Sequence, residues 1–256
     1  MLLQNIRANA LGAYDVIVEF TDNNKIEHAQ IESIPKGSRW GANAVASSIM
    51  TYTAGFGQPV WLDKRTVALS ALESDLSRLE DAGLVRTLYQ NTLFEVPHAP
   101  EIGPAAAVEN EDNWAIQGLE IAKFYELGCT GKSVKVGVLD SGIFNDHKVF
   151  SSGQLKGYAA FDSFGQLKSD EKPRDSMWHG THVCGILAGQ NDGFSRGVAP
   201  EVDLYVGRVL DGWNGSVASI KAGLIWMRDV VRPQVLNLSL GWPGLHAPLC
   251  QTSCRL

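Results

Sequence analysis

Beyond residue 113 the chain alternates short, almost uninterrupted apolar runs with stretches of helical periodicity, and this alternation limits the possible folds more than any other feature. Residues 134–140 (VKVGVLD), 203–210 (DLYVGRVL) and 234–241 (QVLNLSLG) read as strands, with residues 158–162 as a further candidate. Helical stretches alternate with them: 121–127, closed by Gly128, ahead of the first strand, then 178–189, then a run marked by Val217, Ile220, Leu224 and Met227. Ser216 stands in the N-cap position of the last. Strands without polar alternation need cover on both faces. The pattern therefore predicts an α/β fold with a doubly wound, mostly parallel sheet.

The first hundred residues have a different character. Residues 14–20 (YDVIVEF) read as a strand. Residues 66–82 carry Leu69, Leu72, Leu76 and Leu79 at 3–4 spacing, which predicts an amphipathic helix stopped by Gly83. Residues 84–96 read as one strand, or as two joined at Gln90-Asn91. Together they predict a small α+β domain over residues 1–100. Residues 97–113 combine three prolines, an alanine run and an acidic cluster, a composition that suits a linker open to proteolysis. The expected division is a domain over 1–100, a linker over 101–112 and a second domain over 113–256.

Composition removes several classes of function. With 45% apolar and 20% charged residues the chain is globular in type. It has 22 basic and 28 acidic side chains, a net charge of −6, and no basic block, so no nucleic-acid partner is expected. No apolar stretch approaches the length of a membrane span, and residues 1–7 do not resemble a signal peptide. Cys129, Cys184, Cys250 and Cys254 are too scattered for a disulfide framework or a paired zinc site.

Two segments could carry chemistry. Asp140 ends an apolar strand and is followed by Ser141-Gly142. In open α/β sheets, ligand and catalytic groups collect beyond the carboxyl ends of strands; the plain alternative is an Asp that opens a turn. His179 and His182 lie three apart in HGTHVCG and share a helix face. Zinc-protease helices need histidines four apart and a glutamate, which are missing here, so no metal site is expected. Either histidine could equally be a packed core residue. Residues 128–133 (GCTGKS) end like a phosphate-binding loop, but Glu126 stands where that motif needs its first glycine, and the strand follows the segment rather than preceding it.

Taken together these segments resemble the subtilisin-like serine proteases. Residues 136–143 (VGVLDSGI) are similar to the family's segment around its catalytic Asp, and residues 179–188 (HGTHVCGILA) to its HGTHVAG helix, with Cys184 replacing the usual alanine. Residues 197–200 (GVAP) match the turn that follows, and residues 236–241 (LNLSLG) resemble the cleft-lining strand. The resemblance implies that Asp140 orients an imidazole, that His179 is the general base, and that His182 is structural. It implies that Ser239, Leu240 and Gly241 pair with the substrate backbone, with Asn214 and Gly215 on the opposing edge of the cleft. It also implies peptide or protein substrates and no cofactor. By architecture, residues 1–100 resemble a prodomain, an intramolecular inhibitor whose tail would begin near Leu93.

Three departures qualify this. No Gly-Thr-Ser-Met-Ala segment carrying the nucleophile occurs, and Ser253, close to the final residue, has no room for the helix that position requires. The resemblance therefore covers a C-terminally incomplete catalytic domain, expected to be inactive alone, with strand 234–241 left as an exposed edge. At the family's calcium positions, His147-Lys148-Val149-Phe150 and the short 190–196 segment predict no metal site. Relatives are often secreted, whereas the absence of a visible signal peptide leaves a cytoplasmic location open. The rival readings are a non-catalytic peptide-binding remnant and a protease inhibitor acting through residues 1–100.

Overall fold

The computed structural model describes residues 6–21, 59–95, 114–191 and 195–241. Before residue 96 the elements are β1 (Tyr14–Phe20), β2 (Val60–Trp61), β3 (Thr66–Ala71), α1 (Glu73–Asp81), β4 (Val85–Gln90) and β5 (Leu93–Glu95). From residue 114 they are α2 (Trp114–Gly118), α3 (Ile121–Glu126), β6 (Lys135–Asp140), β7 (Leu155–Ala160), α4 (His179–Ala188), β8 (Gln190–Asn191) and β9 (Ser195–Arg196). There follow β10 (Asp203–Arg208), β11 (Leu210–Asp211), β12 (Asn214–Ser216), α5 (Val217–Trp226), a π-helical turn (Met227–Val231) and β13 (Val235–Asn237).

The N-terminal sheet is antiparallel in the order β2-β3-β1-β4. Val16, Val18 and Phe20 of β1, with Val67, Leu69 and Ala71 of β3, pack with Leu76 and Leu79 of α1. Ile17 and Ala68 join Leu62 and Phe94 in a second core, shared with Val217, Ala218 and Ile220 of α5. This arrangement corrects the expected helix over residues 66–82. All six residues of β3 are buried, and only Glu73–Asp81 is helical. A strand covered on both faces loses its alternation, and Leu69 and Leu72 then fall by chance into register with the helix that follows. Residues 84–96 do form two strands, separated at Asn91-Thr92.

The second sheet is parallel throughout, in the order β13-β6-β10-β7. Val136 and Val138 of β6 pack with Cys184 and Ala188 of α4, whereas Leu139 joins the core that contains α5. Helices therefore cover both faces, as a doubly wound α/β sheet requires. Strand bounds differ locally from expectation. The run 203–210 breaks after Arg208, where Leu210 turns to pair with Gly215, and β7 ends at Ala160. Strand β13 is three residues long because its pairing with β6 spans only Val235–Asn237. Among the described residues it is an edge, and Val235 and Leu238 are partly exposed.

A third small sheet, β11-β12-β5, ties the two parts together. Leu93, Phe94 and Glu95 pair antiparallel with Ser216, Gly215 and Asn214. Helix α5 starts at this junction. Ser216 and Ser219 form a reciprocal capping box, as Ser216 was expected to cap. The Val217 and Ala218 amides donate to Thr92 O and Asn91 Oδ1, both at 3.0 Å. Three of the amide donors that a helix start leaves without intrahelical partners are thus satisfied, two of them by the N-terminal part.

Candidate active site

Strand β6 delivers Asp140 to the carboxyl end of the parallel sheet, where it is fully buried. Helix α4 opens with His179, and its Nδ1 lies 2.7 Å from Asp140 Oδ1. The same oxygen accepts the Ser141 amide at 2.7 Å, and Asp140 Oδ2 is buried with no hydrogen-bond partner among the described residues. A carboxylate oxygen accepts, so the neutral imidazole carries its proton on Nδ1 and leaves the Nε2 lone pair free. The His179 side chain is 19% exposed, enough for a reactant to reach it. Burial pushes the Asp140 carboxyl above its ordinary range, and the His179 and Ser141 hydrogen bonds offset this only in part.

Close packing brings the two elements together. A Cβ on Gly180 would sit 2.1 Å from Gly142 O, and Gly142 itself has φ +111°. Both positions therefore require glycine if the start of α4 is to lie against the turn after β6. The Gly180 amide donates to Ser141 Oγ at 2.9 Å, and that hydroxyl donates to Asp175 Oδ1 at 2.7 Å. The other Asp175 oxygen accepts from the Thr181 amide at 2.7 Å and from the Thr181 hydroxyl. Burial alone would raise the Asp175 carboxyl, but the bonds from Thr181, Met177 and Ser141 hold it below the usual range.

Asp175 and Ser141 were not singled out in the sequence. Neither were Arg208 and Glu171. Fully buried Arg208 ends β10 beside Asp140 in register, and it grips Glu171 through two bonds of 2.7 and 2.8 Å. This fixes the 163–178 loop that carries Asp175 to α4. An Asp four residues before His179 was a usable signal; an ion pair spanning 37 residues was not. Trp178, immediately before His179, adopts φ +70° and meets Trp213 edge to face at 6.3 Å. Cys184 packs in the core, and burial pushes its thiol up, so it behaves there as a small apolar residue.

The remaining predicted residues flank this pair differently. Asn214 and Gly215 lie on β12, the central strand of its sheet, paired with β11 on one side and with β5 of the same chain on the other. Ser239, Leu240 and Gly241 follow β13, whose parallel register with β6 carries them toward the level of Asp140. Ser239 Oγ accepts from Asn237 Nδ2 at 3.0 Å, and Leu240 packs against the core that contains α5. Residues 97–113, expected to form the linker, lie outside the described residues, and so do Cys250, Ser253 and Cys254.

Residues 131–252 match a family model described as the subtilase family. Subtilisin Savinase of Lederbergia lenta is 36% identical over 140 residues, covering 54% of this chain and 48% of its own length. The alkaline protease of Shouchella clausii is 34% identical over 165 residues, covering 60% and 41% respectively. The minor extracellular protease Epr of Bacillus subtilis (strain 168) is 31% identical over 135 residues, covering 52% and 19%. The chain thus spans less than half the length of these curated relatives.

Proposed function

The second half of this chain belongs to the subtilisin-like serine protease family, and from that premise we propose that it supplies the Asp-His part of a serine endopeptidase. The observation that carries the reading is the 2.7 Å bond between His179 Nδ1 and Asp140 Oδ1 at the carboxyl end of the parallel sheet. In this reading Asp140 fixes the tautomer of His179 and stabilises the imidazolium, while His179 Nε2 takes the proton of a serine hydroxyl. The serine attacks the peptide carbonyl, His179 returns the proton to the leaving amine, and water then releases the acyl group. This sequence contains no Gly-Thr-Ser-Met-Ala segment, so the nucleophile is assigned to polypeptide outside these 256 residues.

The substrate backbone would run between Asn214-Gly215 and Ser239-Leu240-Gly241, pairing as an added strand. Strand β5 supports this, because it already pairs with β12 in such a manner. Residues 1–100 would then act as a prodomain, holding the cleft closed from within until the 101–112 linker is cut. The same seat favours a second reading, inhibition of a related protease in trans by the N-terminal part.

The test is caseinolysis by the chain extended with its missing nucleophile segment. Hydrolysis that disappears in His179→Ala supports the reading. Hydrolysis unaffected by that substitution, or none at all in a folded extended protein, contradicts it.

A further inference from the structure

Helix α5 reads VASIKAGLIW, and Lys221 is its one charged side chain. Every residue from Val217 to Leu224 is buried, and Lys221 is only 8% exposed. A buried ammonium is strongly unfavourable unless it is paired and hydrogen-bonded. Both of its partners come from the N-terminal sheet. Nζ lies 3.1 Å from Thr66 Oγ1 and 3.4 Å from Asp63 Oδ2.

The receiving groups are held in place. The Leu62 and Asp63 amides both donate to Thr66 O, closing the turn between β2 and β3. The Arg65 amide donates to Asp63 Oδ1 at 2.9 Å, which leaves Oδ2 for the lysine. Arg228, another cation that feels Asp63's charge, is already engaged by two 2.7 Å bonds to Asp229. Around this polar contact Ile17, Leu62, Ala68 and Phe94 pack on α5 through apolar surface, which attracts without selecting.

We propose that Lys221 is a recognition residue that makes the covered face of α5 specific for this chain's own N-terminal sheet. The partner it accepts is a sheet whose turn presents a carboxylate beside a hydroxyl, here Asp63 and Thr66. A sheet of similar apolar shape without those groups would bury the ammonium unpaired, and that penalty discriminates against it. The inference concerns docking alone and stands apart from the proteolytic reading.

The test is amide hydrogen exchange on the full chain, comparing α5 with β6 in the same sample. Local undocking accelerates α5 alone, whereas global destabilisation accelerates both. Asp63→Asn keeps the acceptor for Arg65 but removes the charge, and the expected effect is about tenfold faster exchange in α5. Adding Lys221→Met should return α5 to within about threefold of the parent, because no unpaired charge then remains. The proposal is overturned if Asp63→Asn accelerates α5 by less than threefold relative to β6, or if Lys221→Met does not rescue it.

Discussion

His179 Nδ1 and Asp140 Oδ1 are 2.7 Å apart although 39 residues separate them, and the carboxylate is fully buried while the imidazole reaches solvent. One face of the ring is thereby committed to the protein and the other is free for chemistry. Asp140→Ala should release the ring, so that 15N spectra of His179 change from a single Nδ1–H tautomer to a mixture dominated by Nε2–H. An unchanged tautomer would mean that the bond does not set the ring. In a completed enzyme, Asp140→Asn should lower kcat by about 10⁴-fold, because the wrong tautomer faces the nucleophile.

Acid should undo the loop that supports this pair. Glu171 would be raised by burial, but its bonds to Arg208 outweigh that and hold it low, and Asp175 is held low as well. A carboxylate with a depressed pKa stabilises the fold above its unfolded value, and that contribution fades as pH falls through the ordinary carboxylate range, about 4, and below. Asp140 is shifted the other way, so protonating it offsets part of the loss. Denaturant midpoints between pH 6 and pH 3 should fall more gently in Glu171→Gln than in the parent. An equally steep fall would remove Glu171 from the account.

Gly180→Ala should be severe. The added methyl would sit 2.1 Å from Gly142 O, a backbone atom that cannot rotate away. Overpacking of this kind costs about 3 kcal/mol. Thermal denaturation should show it, together with loss of the His179 tautomer signal. A neutral Gly180→Ala would show that α4 does not need this approach to the turn after β6.

Phe94→Ala tests the junction. Phe94 is 4% exposed in the shared core and pairs with Gly215 across β5 and β12. Truncation should cost about 3–5 kcal/mol and accelerate amide exchange along β12. Stability lost without faster exchange in β12 would mean that the ring, rather than the strand pairing, holds the junction.

Much of the site was legible in the chain because its parts are local. Asp140 at a strand end, the glycines around His179 and the Ser216 cap are each decided by neighbours within a few residues. The supports of the site were not legible. Arg208 meets Glu171 across 37 residues and Lys221 meets Thr66 across 155, distances at which sequence spacing carries no signal. The misplaced helix over residues 66–82 has the same origin. Strand β3 is covered by α1 on one face and by α5, far along the chain, on the other. Its apolar run follows from that second cover, which no local pattern announces.

We propose that Asp140 and His179 act with a serine encoded beyond residue 256. In subtilisin the serine follows the histidine by about 157 residues, which places it about 80 codons past the last residue of this sequence. Sequencing the source locus through that region in all three frames tests the claim most directly. The account predicts a Gly-Thr-Ser-Met-Ala-type segment there. Its absence from every frame would contradict the catalytic reading and leave binding or inhibition as the function of the chain.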